Sequence, residues 1–556
     1  LWGNPTDRAC ETLFLESSHP VQGLPETVSY PLGKKSLVLE GLVVEKPGVV
    51  RILVKSEEEK IHAEAGPLLI EEEGVSGYWG DLHGQSGETI GLTTSRQYFD
   101  FARNKSFLDV TSHQANDFQV NNAFWKYLNQ LTEEYHEDGR FVVFPGYEWS
   151  GNTAVGGDRN VFFREEGRQI RRSSHALLSD RSDLETDAPT ASKLFEALQE
   201  EDCVVYAHVG GRYADISQAH DPRLETAMEI HSAWGTFEWL LTDGFPLGHR
   251  SGVVCNSDGH KGRPGASYPG AATFGAYGGL TCFLTHDLTR DGIFECLRSR
   301  HHYGTTGCRM HLEVKAHFKE QAIFFHQDPK AYRNPGTSKV REVMMGDIVE
   351  TRENEVMLSL KILAHAPLER VEIRNGSEVC SIHRPFDASD LGSRIRVIWS
   401  GAEYRGRGRQ TSWKGRADFQ HCRILKMKKI NAWNHEKRLQ TCGTKSVEWD
   451  AVTTRNFGGF DVWLEEGDNA ELDLVSNHGS LRIPLNQIDL EDHVLDAGGL
   501  ERQIRVFRLP EINPHREIEH HLQIPLKINQ DNPLWVCVTT EDGFQAWSSL
   551  IFVIPS

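Results

Sequence analysis

Between residues 76 and 310, short apolar runs alternate with stretches of helical periodicity. This alternation is typical of β/α units and of a parallel sheet. Apolar side chains from Phe124 to Tyr135 recur at helical spacing and predict one helix. Residues 191–200 and 289–298 predict two more helices, each with a threonine at its start that could cap it. We therefore predict an α/β fold in which residues 76–310 form a β/α barrel.

Six apolar runs in this region end at a residue that could bind a metal ion. The carboxyl ends of the strands of a β/α barrel gather at one mouth, where the active site lies. Imidazole and carboxylate groups are ligands suited to Zn²⁺, Mn²⁺ or Fe²⁺. A lone histidine after a strand is usually structural, but six coincident strand ends favour a metal site. The residues at these ends are His83, His113, Glu148, His208, His231 and Asp258, with His260 two residues after the last.

The sequences on either side of this region have little helical periodicity. Residues 1–75 contain short β-like runs and predict a small N-terminal β segment. Residues 311–556 contain many short alternating runs with turn signals such as Asn375-Gly376, and predict a C-terminal β-sandwich. The polar stretch 165–189 inside the middle region predicts a long surface loop.

Five motifs, taken in order, resemble those of the PHP (polymerase and histidinol phosphatase) superfamily, in a bacterial branch whose domain name records unknown function. More distantly, the chain is similar to members of the carbaryl-hydrolase type. The resemblance implies a distorted β/α barrel that binds two or three metal ions and hydrolyses esters, mostly phosphate esters. The motifs are Asp81-Leu82-His83-Gly84-Gln85-Ser86, Thr111-Ser112-His113, Gly146-Tyr147-Glu148, Ala207-His208-Val209-Gly210 and Asn256-Ser257-Asp258-Gly259-His260.

The resemblance also implies three candidate metal positions. The first would use His83, Gln85, Glu148 and Asp258. The second would share Glu148 and add Asp158 and His208, and the third would use His113 and His260.

The sequence departs from the family pattern at several of these positions. Gln85 stands where the family usually has histidine, and a neutral amide is a poor ligand for a transition metal. Ser112 replaces an aspartate, Gly91 replaces a histidine, and Asp158 stands where many members have histidine. We therefore predict one or two divalent transition-metal ions, Mn²⁺, Zn²⁺ or Fe²⁺.

The predicted activity is hydrolysis of a small-molecule ester, most simply a phosphoester, by a metal-bound hydroxide. Glu148 would be catalytic through the metal, and His231 or His113 would protonate the leaving group. Hydrolysis of a carboxylester, carbamate or amide is the alternative. A second alternative is a non-catalytic binding module on a degenerate barrel. The candidate substrate-binding residues are Arg159, Asn160, Trp234 and Tyr268, the last in a glycine-rich stretch at 262–279.

Charge and composition narrow the range of partners. With 60 basic and 79 acidic residues the formal charge is −19, which disfavours a nucleic-acid partner. Arg405, Arg407 and Arg409 then suggest a loop that reaches back to the barrel mouth, or a subunit contact in a homo-oligomer. No apolar run approaches the length of a membrane span, and no signal peptide is visible. Ten scattered cysteines without a CxxC pair favour a reducing compartment, and hence the cytoplasm.

Overall fold

Strands make up 47% of this protein and helices 12%. The computed structural model describes residues 6–8, 11–58, 61–268, 276–406, 409–434 and 436–556. None of the helices in these ranges has the length and apolar character that crossing a bilayer requires. The helices are α1 (Ser95–Asn104), α2 (Asn122–Tyr135), α3 (Ala191–Ala197), α4 (Glu238–Thr242), α5 (Gly244–Leu247) and α6 (Arg290–Ser299).

The strands up to the middle of the chain belong to three sheets. They are β1 (Thr12–Ser17), β2 (Thr27–Ser29), β3 (Gly48–Ser56), β4 (His62–Ile70), β5 (Ser76–Asp81), β6 (Val110–Ser112), β7 (Val142–Phe144), β8 (Gly146–Ser150), β9 (Asp158–Phe163), β10 (Cys203–Ala207), β11 (Glu225–Ser232), β12 (Gly235–Thr236), β13 (Gly252–Cys255), β14 (Leu280–Thr285) and β15 (His302–Thr305).

The second half of the described chain is built from strands joined by turns and short 3₁₀ segments. Its strands are β16 (His311–Phe325), β17 (Thr337–Met344), β18 (Ile348–Thr351), β19 (Glu355–Leu363), β20 (Leu368–Asn375), β21 (Glu378–His383), β22 (Leu391–Ala402), β23 (Thr411–Ile430), β24 (Leu439–Cys442), β25 (Ser446–Thr453), β26 (Arg455–Ser476), β27 (Gly479–Pro484), β28 (His493–Asp496), β29 (Leu500–Pro510), β30 (Glu517–Pro525), β31 (Asn532–Thr540), β32 (Gln545–Ser548) and β33 (Ile551–Pro555).

These strands form four sheets. The first has the order β2-β1-β3-β4, and the second has the order β12-β11-β10-β9-β8 with β13 paired to β11. The third has fifteen strands and runs β30-β19-β16-β18-β33-β31-β32-β15-β14-β5-β6-β7, with β17, β20 and β21 attached at its side. The fourth runs β24-β25-β23-β26-β22-β29-β28, with β27 attached to β26.

The predicted α/β barrel is wrong, because no closed barrel occurs among the described strands. A barrel needs a ladder of strands that returns to its first member. Here the middle region is divided between the second and third sheets, and β8, β9 and β10 alternate in direction. The third sheet continues into C-terminal strands instead, since β15 pairs antiparallel with β32 from the end of the chain.

The second and third sheets share one buried apolar cluster. Val110 and Phe144 come from the third sheet, and Phe162, Tyr206 and Val254 come from the second. Most of the polar motif residues lie in the chain segments that follow β5, β6, β10 and β13, and a bridge between Gly84 and Gly259 joins two of these segments.

The predicted helices are confirmed, with small changes of length. α2 covers the stretch from Phe124 to Tyr135, and α3 ends earlier than predicted, at Ala197. The Thr190 side chain accepts a hydrogen bond from the backbone N–H of Lys193 at the start of α3. Thr289 accepts one from Gly292 at the start of α6. Local periodicity and capping chemistry were therefore sufficient to locate these elements.

Candidate metal centre

Three buried side chains from the second and third sheets meet at one point. One ligand atom from each of His83, Glu148 and His208 lies within 4.8 Å of the others. The Nε2 atom of His83 is 3.8 Å from Oε2 of Glu148, and Nε2 of His208 is 3.9 Å from Oε1. The two imidazole rings are edge to face, with centroids 4.5 Å apart. This spacing is suited to one ion bound among the three side chains.

The strand ends place two of these residues. His83 follows β5, and its backbone N–H donates to Oδ1 of Asp81, which also accepts from the N–H of Ser257. His208 comes directly after β10. Asp81 therefore ties the segment after β5 to the segment after β13, and brings His83 to the face from which His208 projects.

Glu148 does not end a strand as predicted. Pro145 separates β7 from β8, and Glu148 lies at the centre of β8. Proline lacks the N–H that a continuous ladder needs, so the chain passes from the third sheet to the second at this point. The carboxylate of Glu148 is thereby fixed by strand geometry instead of a loop.

Asp258 lies next to this cluster in a left-handed backbone conformation. Its φ is +43°, and its Oδ1 atom is 3.3 Å from Nε2 of His83. A residue other than glycine in this region is uncommon, and such conformations concentrate at functional sites. The turn directs the Asp258 carboxylate at the same nitrogen that faces Glu148.

A buried carboxylate that was not predicted holds the other side of His83. Both oxygens of Glu229 are 3.1 Å from Nδ1 of His83, and the amide of Asn256 donates to Oε2 over 2.8 Å. A ligating histidine commonly donates its second ring N–H to a carboxylate. The signal was present in the sequence: Glu229 is two residues before His231 in an apolar strand, and a buried carboxylate there requires a partner.

The residues fit a divalent transition metal. Nε2 of His83 and both ring nitrogens of His208 are buried without a hydrogen-bond partner. Unpaired buried polar atoms are costly and require an explanation. A Cβ added to Gly210 would lie 3.2 Å from Oδ2 of Asp258 and 3.3 Å from Cε1 of His208, so this glycine keeps space open between them. Nitrogen and oxygen donors of this kind suit zinc, manganese and iron.

Electrostatics give two of the three ligands the protonation states that binding needs. Burial would raise the pKa of Glu148, but His83, His208 and Arg212 lower it to about 2. Burial, with the charge of His83, lowers the pKa of His208 to about 4. A metal ligand must be an ionised carboxylate or a neutral imidazole. Glu148 and His208 therefore have these forms at neutral pH.

Burial and neighbouring charges also shift the pKa values of His83 and Asp258. Burial disfavours the charged form of His83, but Asp258 and Glu229 outweigh it and raise the pKa of His83. Burial raises the pKa of Asp258 to about 6, against the influence of His83 and His260. A cation at this point would replace the positive charge of the His83 proton, so metal binding is expected to release a proton.

Asp158, a predicted ligand, is held by an arginine. It is fully buried, and Nε of Arg212 donates to its Oδ1 over 2.8 Å. The backbone N–H of Arg212 donates to Oδ2 at 3.2 Å. Asp158 does not belong to the three-residue group described above. Arg212 was not predicted, although it is only four residues after His208.

Gln85 and His113 lie beside the cluster with hydrogen bonds of their own. The amide of Gln85 donates to Oε2 of Glu148 over 2.8 Å, and its carbonyl oxygen accepts from Thr89. Its described contacts are those of a donor to Glu148, not of an oxygen ligand. Nε2 of His113 is 2.8 Å from Oγ of Ser86, and its Nδ1 is buried without a hydrogen-bond partner.

His260 and His231 have different surroundings. His260 influences the pKa of Asp258 and lies near Trp234, with ring centroids 6.1 Å apart. Both nitrogens of His231 are engaged, one with Oγ1 of Thr236 and one with the carbonyl oxygen of Tyr277, each at 2.9 Å. The described contacts of His231 therefore lie outside the three-residue cluster.

The four predicted substrate-binding residues are dispersed. Arg159 is buried and donates to Glu225 and to the carbonyl oxygens of Gly157 and Ala219. Asn160 pairs with Glu148 across β8 and β9, and both polar atoms of its side chain are buried without a partner. These contacts suit Arg159 to a structural role and leave Asn160 with unused hydrogen-bonding capacity.

Trp234 and Tyr268 lie nearer the surface. The guanidinium of Arg409 is 5.4 Å from the ring centre of Trp234. Tyr268 is 47% exposed and contacts Tyr277 edge to face, with centroids 5.5 Å apart. Of the glycine-rich stretch at 262–279, residues 269–275 lie outside the described residues, as does Arg407.

Comparisons with known proteins found a matching family profile and similar uncharacterised proteins. The profile of a family described as "Protein of unknown function (DUF3604)" matches residues 64–208. An uncharacterised protein of Chlamydia pneumoniae is 25% identical over 342 residues, which cover 56% of this chain and 53% of the relative. One of Chlamydia trachomatis is 22% identical over 338 residues, covering 56% and 52%. The chain thus spans about half the length of the curated relatives it matches.

One solved structure has low similarity to this chain in sequence and in structure. It is a two-domain protein of Bacteroides vulgatus described as containing a predicted PHP-like metal-dependent phosphoesterase. It is 12% identical, with a TM-score of 0.30, and the match covers 75% of this chain and 96% of the other.

Proposed function

We propose that this protein is a hydrolase that depends on a divalent transition metal and acts on a small-molecule ester, with a phosphoester as the first choice. The observation that carries the proposal is the buried group of His83, Glu148 and His208. In this group, Nε2 of His83 and both ring nitrogens of His208 have no hydrogen-bond partner. We propose one or two ions of Mn²⁺, Zn²⁺ or Fe²⁺, held by these three residues together with Asp258.

A bound divalent cation supplies Lewis acidity, which polarises an ester oxygen and makes water more acidic. The chain's own residues orient the ligands. Glu229 fixes the ring of His83, while Gln85 and Ser150 each donate to one oxygen of Glu148, over 2.8 and 3.1 Å. Ligands held in this way need little rearrangement during a reaction, which is the main benefit of a preorganised site.

A phosphoester is favoured by the charge at the edge of the site. The Arg212 side chain is 24% exposed, and its Nη2 atom is 4.0 Å from Oε1 of Glu148. A guanidinium group is well matched to the oxygens of a phosphate. In a chain with net charge −19, such a local positive charge is needed to attract an anionic substrate.

Acyl substrates are the second candidate. Trp234 places an indole beside His260 and gives one side of the site an apolar, aromatic surface. That surface suits the alcohol or aryl part of a carboxylester, carbamate or amide. The same metal chemistry serves both classes, so the pocket and not the ion would decide between them.

Proton donation to the leaving group is proposed for His113 or His231. His113 has one buried nitrogen free of hydrogen bonds, whereas His231 would first have to release Tyr277.

The absence of nucleic-acid and membrane partners, a cytoplasmic location and homo-oligomerisation stay predictions from the sequence.

The proposal is tested by metal analysis followed by turnover. We expect protein purified without chelator to contain at least about half an equivalent of a transition metal. We also expect it to hydrolyse an aryl phosphate faster than the matching aryl acetate or carbamate. Chelation should abolish turnover and added Mn²⁺ should restore it.

Two variants separate this activity from a contaminant. Glu148→Gln should lose metal and turnover together, whereas Glu465→Gln, at an exposed ion pair with Arg423, should retain both. Protein that binds no transition metal and turns over none of the three substrates would refute the proposal. Faster turnover of the acetate or carbamate would select the acyl alternative.

A further inference from the structure

We propose that the guanidinium of Arg212 occupies the position of a second cation, so that this site binds a single metal ion. The inference rests on the proposed metal-dependent function and specifies its form. It is carried by the contacts of Arg212 with Asp158 and by its distance from Glu148, the two carboxylates that a second ion would have to share.

Both oxygens of Asp158 accept hydrogen bonds from Arg212. Nε of Arg212 donates to Oδ1 over 2.8 Å, and the backbone N–H of the same residue donates to Oδ2 at 3.2 Å. Side chain and backbone of one residue thus bind both oxygens of the carboxylate. Arg212 is thus the charged partner of this buried carboxylate.

The guanidinium of Arg212 also lies near Glu148, the carboxylate that two ions would share. Its Nη2 atom is 4.0 Å from Oε1 of Glu148, the same oxygen that lies 3.9 Å from Nε2 of His208. A cation bridging Glu148 and Asp158 would have to lie close to the guanidinium, which contacts Asp158 and is 4.0 Å from Glu148. A metal ion there and the guanidinium would both be positively charged, and like charges close together repel strongly in a buried setting.

Arg212 is fixed in place by its neighbours. Its guanidinium lies over the ring of Phe118, at 5.8 Å from the centroid, and its carbonyl oxygen accepts from the backbone N–H of Gly210 at 3.1 Å. Its side chain is 24% exposed, whereas that of Asp158 is completely buried. An ion that approaches Asp158 from solvent therefore meets a positive charge first.

This arrangement gives the site two positive centres of different kinds. One metal ion would be held by His83, Glu148 and His208, and the guanidinium of Arg212 would lie nearby, 4.0 Å from Oε1 of Glu148. A phosphoester oxygen could contact both. The site would then need only one ion to neutralise an anionic substrate.

Metal stoichiometry tests the inference without recourse to turnover. Apoprotein is loaded with Mn²⁺, passed through a desalting column, and analysed for retained metal and by electron paramagnetic resonance. We expect one equivalent in the wild-type protein with the signal of an isolated ion. Arg212→Ala should retain two equivalents and show the signal of an exchange-coupled pair.

Three further variants serve as controls. Arg212→Lys preserves a cation and should retain one equivalent. Arg416→Ala removes an exposed arginine paired with Asp418 and Glu448, and should also retain one. The double variant Arg212→Ala, Asp158→Asn should return to one equivalent, because the second ion loses its carboxylate.

Each outcome decides the matter. Two equivalents in the wild-type protein, or one equivalent in folded Arg212→Ala, would overturn the role of Arg212 while leaving the proposed hydrolase intact. No retained metal in the wild-type protein would overturn both proposals. If Arg212→Ala does not fold, as judged by circular dichroism, the coupled or isolated Mn²⁺ signal of the wild-type protein decides alone.

Discussion

Glu148 is the residue on which most contacts of the site converge. Gln85 donates to one of its oxygens, Ser150 donates to the other, and His208 and Arg212 lie about 4 Å from that second oxygen. Its backbone is part of a strand and cannot shift without disturbing β9. The position of the carboxylate is thus determined before any ion binds.

Glu229→Gln is expected to weaken metal binding by about 10- to 100-fold, the usual cost of losing the carboxylate that orients a ligating histidine. The neutral amide keeps the size of Glu229 but loses the charge that faces Nδ1 of His83. Isothermal titration with Mn²⁺ measures the effect, with Glu465→Gln as the exposed control. An unchanged affinity would show that the ring of His83 is held by other means.

Several residues of the site could be predicted and others could not. His83, His208 and Asp258 follow apolar runs, which is a pattern in the local sequence. The position of Glu229 in an apolar strand predicts that it has a partner, but not which one. The contact of Arg212 with Asp158 is formed only in the folded chain. Arg159 was predicted as a candidate substrate-binding residue, and in the structure it pairs with Glu225 inside the protein.

A buried imidazole outside the site gives a pH dependence of stability. Burial lowers the pKa of His302 to about 3, although the carbonyl oxygen of Val253 favours the charged form. The unfolded chain would protonate this side chain near its ordinary pKa of about 6.5. The unfolded state therefore binds more protons between these two values, and stability falls as the pH is lowered through that interval.

The free energy of unfolding is expected to fall, through His302 alone, by up to about 1.4 kcal/mol per pH unit below pH 6. Urea unfolding of the wild-type protein and of His302→Gln at pH 7 and pH 5 measures it. The variant should lose less stability between the two pH values than the wild-type protein. Equal losses would show that His302 is not protected from protonation in the folded state.

Among the elements, the loop between β9 and α3 departs most from its expected character. The sequence predicted a solvated surface loop over 165–189, and apart from a 3₁₀ turn at Leu184–Thr186 its described residues lack regular structure. Arg172 is nevertheless fully buried, and donates to Asp183, to Asn122 and to the carbonyl oxygen of Val120. The loop is therefore bound to the segment that precedes α2.

Arg172→Ala is expected to destabilise the protein by about 3 kcal/mol, because it removes a buried guanidinium that binds Asp183, Asn122 and a backbone carbonyl oxygen. Limited proteolysis should then cut within 165–189, and urea unfolding gives the free energy. Arg168→Ala is the matched control in the same loop. Its ion pair with Glu165 is largely exposed, so the change should be within about 0.5 kcal/mol. Equal effects of the two substitutions would contradict the structure.

Element prediction succeeded where the signal was local and failed where it was not. Helical periodicity and threonine caps located α2, α3 and α6. The pairing of β14 and β15 with β5 and β32 leaves no trace in the surrounding residues, because a strand's sequence specifies a pleated, buried surface and not its partner. The barrel was inferred from local β/α alternation, which does not specify how the strands pair.

At the scale of the whole molecule, the C-terminal strands complete the region that holds the site. The third sheet continues from β15 into β32, so position 310, where a domain boundary was predicted, lies within a single sheet. Arg409, from beyond β22, donates to the carbonyl oxygen of Gly210 over 2.6 Å and lies over Phe237. A buried arginine from the far part of the chain thus supports the segment that holds His208.

Arg409→Ala is expected to lower both stability, by about 2 kcal/mol, and affinity for Mn²⁺, because the Gly210 carbonyl loses a charged donor. Thermal unfolding and metal titration measure the two effects. Arg405→Ala is the control, since that side chain pairs with Asp243 at the surface. A variant with reduced stability but unchanged metal affinity would show that the contact supports the fold alone.

The pairing of β15 with β32 also determines when the molecule can finish assembling. The hydrogen bond from the N–H of Gln545 to Oγ1 of Thr306 joins residues 239 positions apart. At a synthesis rate of about 5–20 residues per second, β15 waits roughly ten seconds or more for its neighbour. During that time it presents an open strand edge to other chains. We expect the yield of folded protein in a cell to depend on chaperones that cover this edge, and to rise when translation beyond β15 is fast.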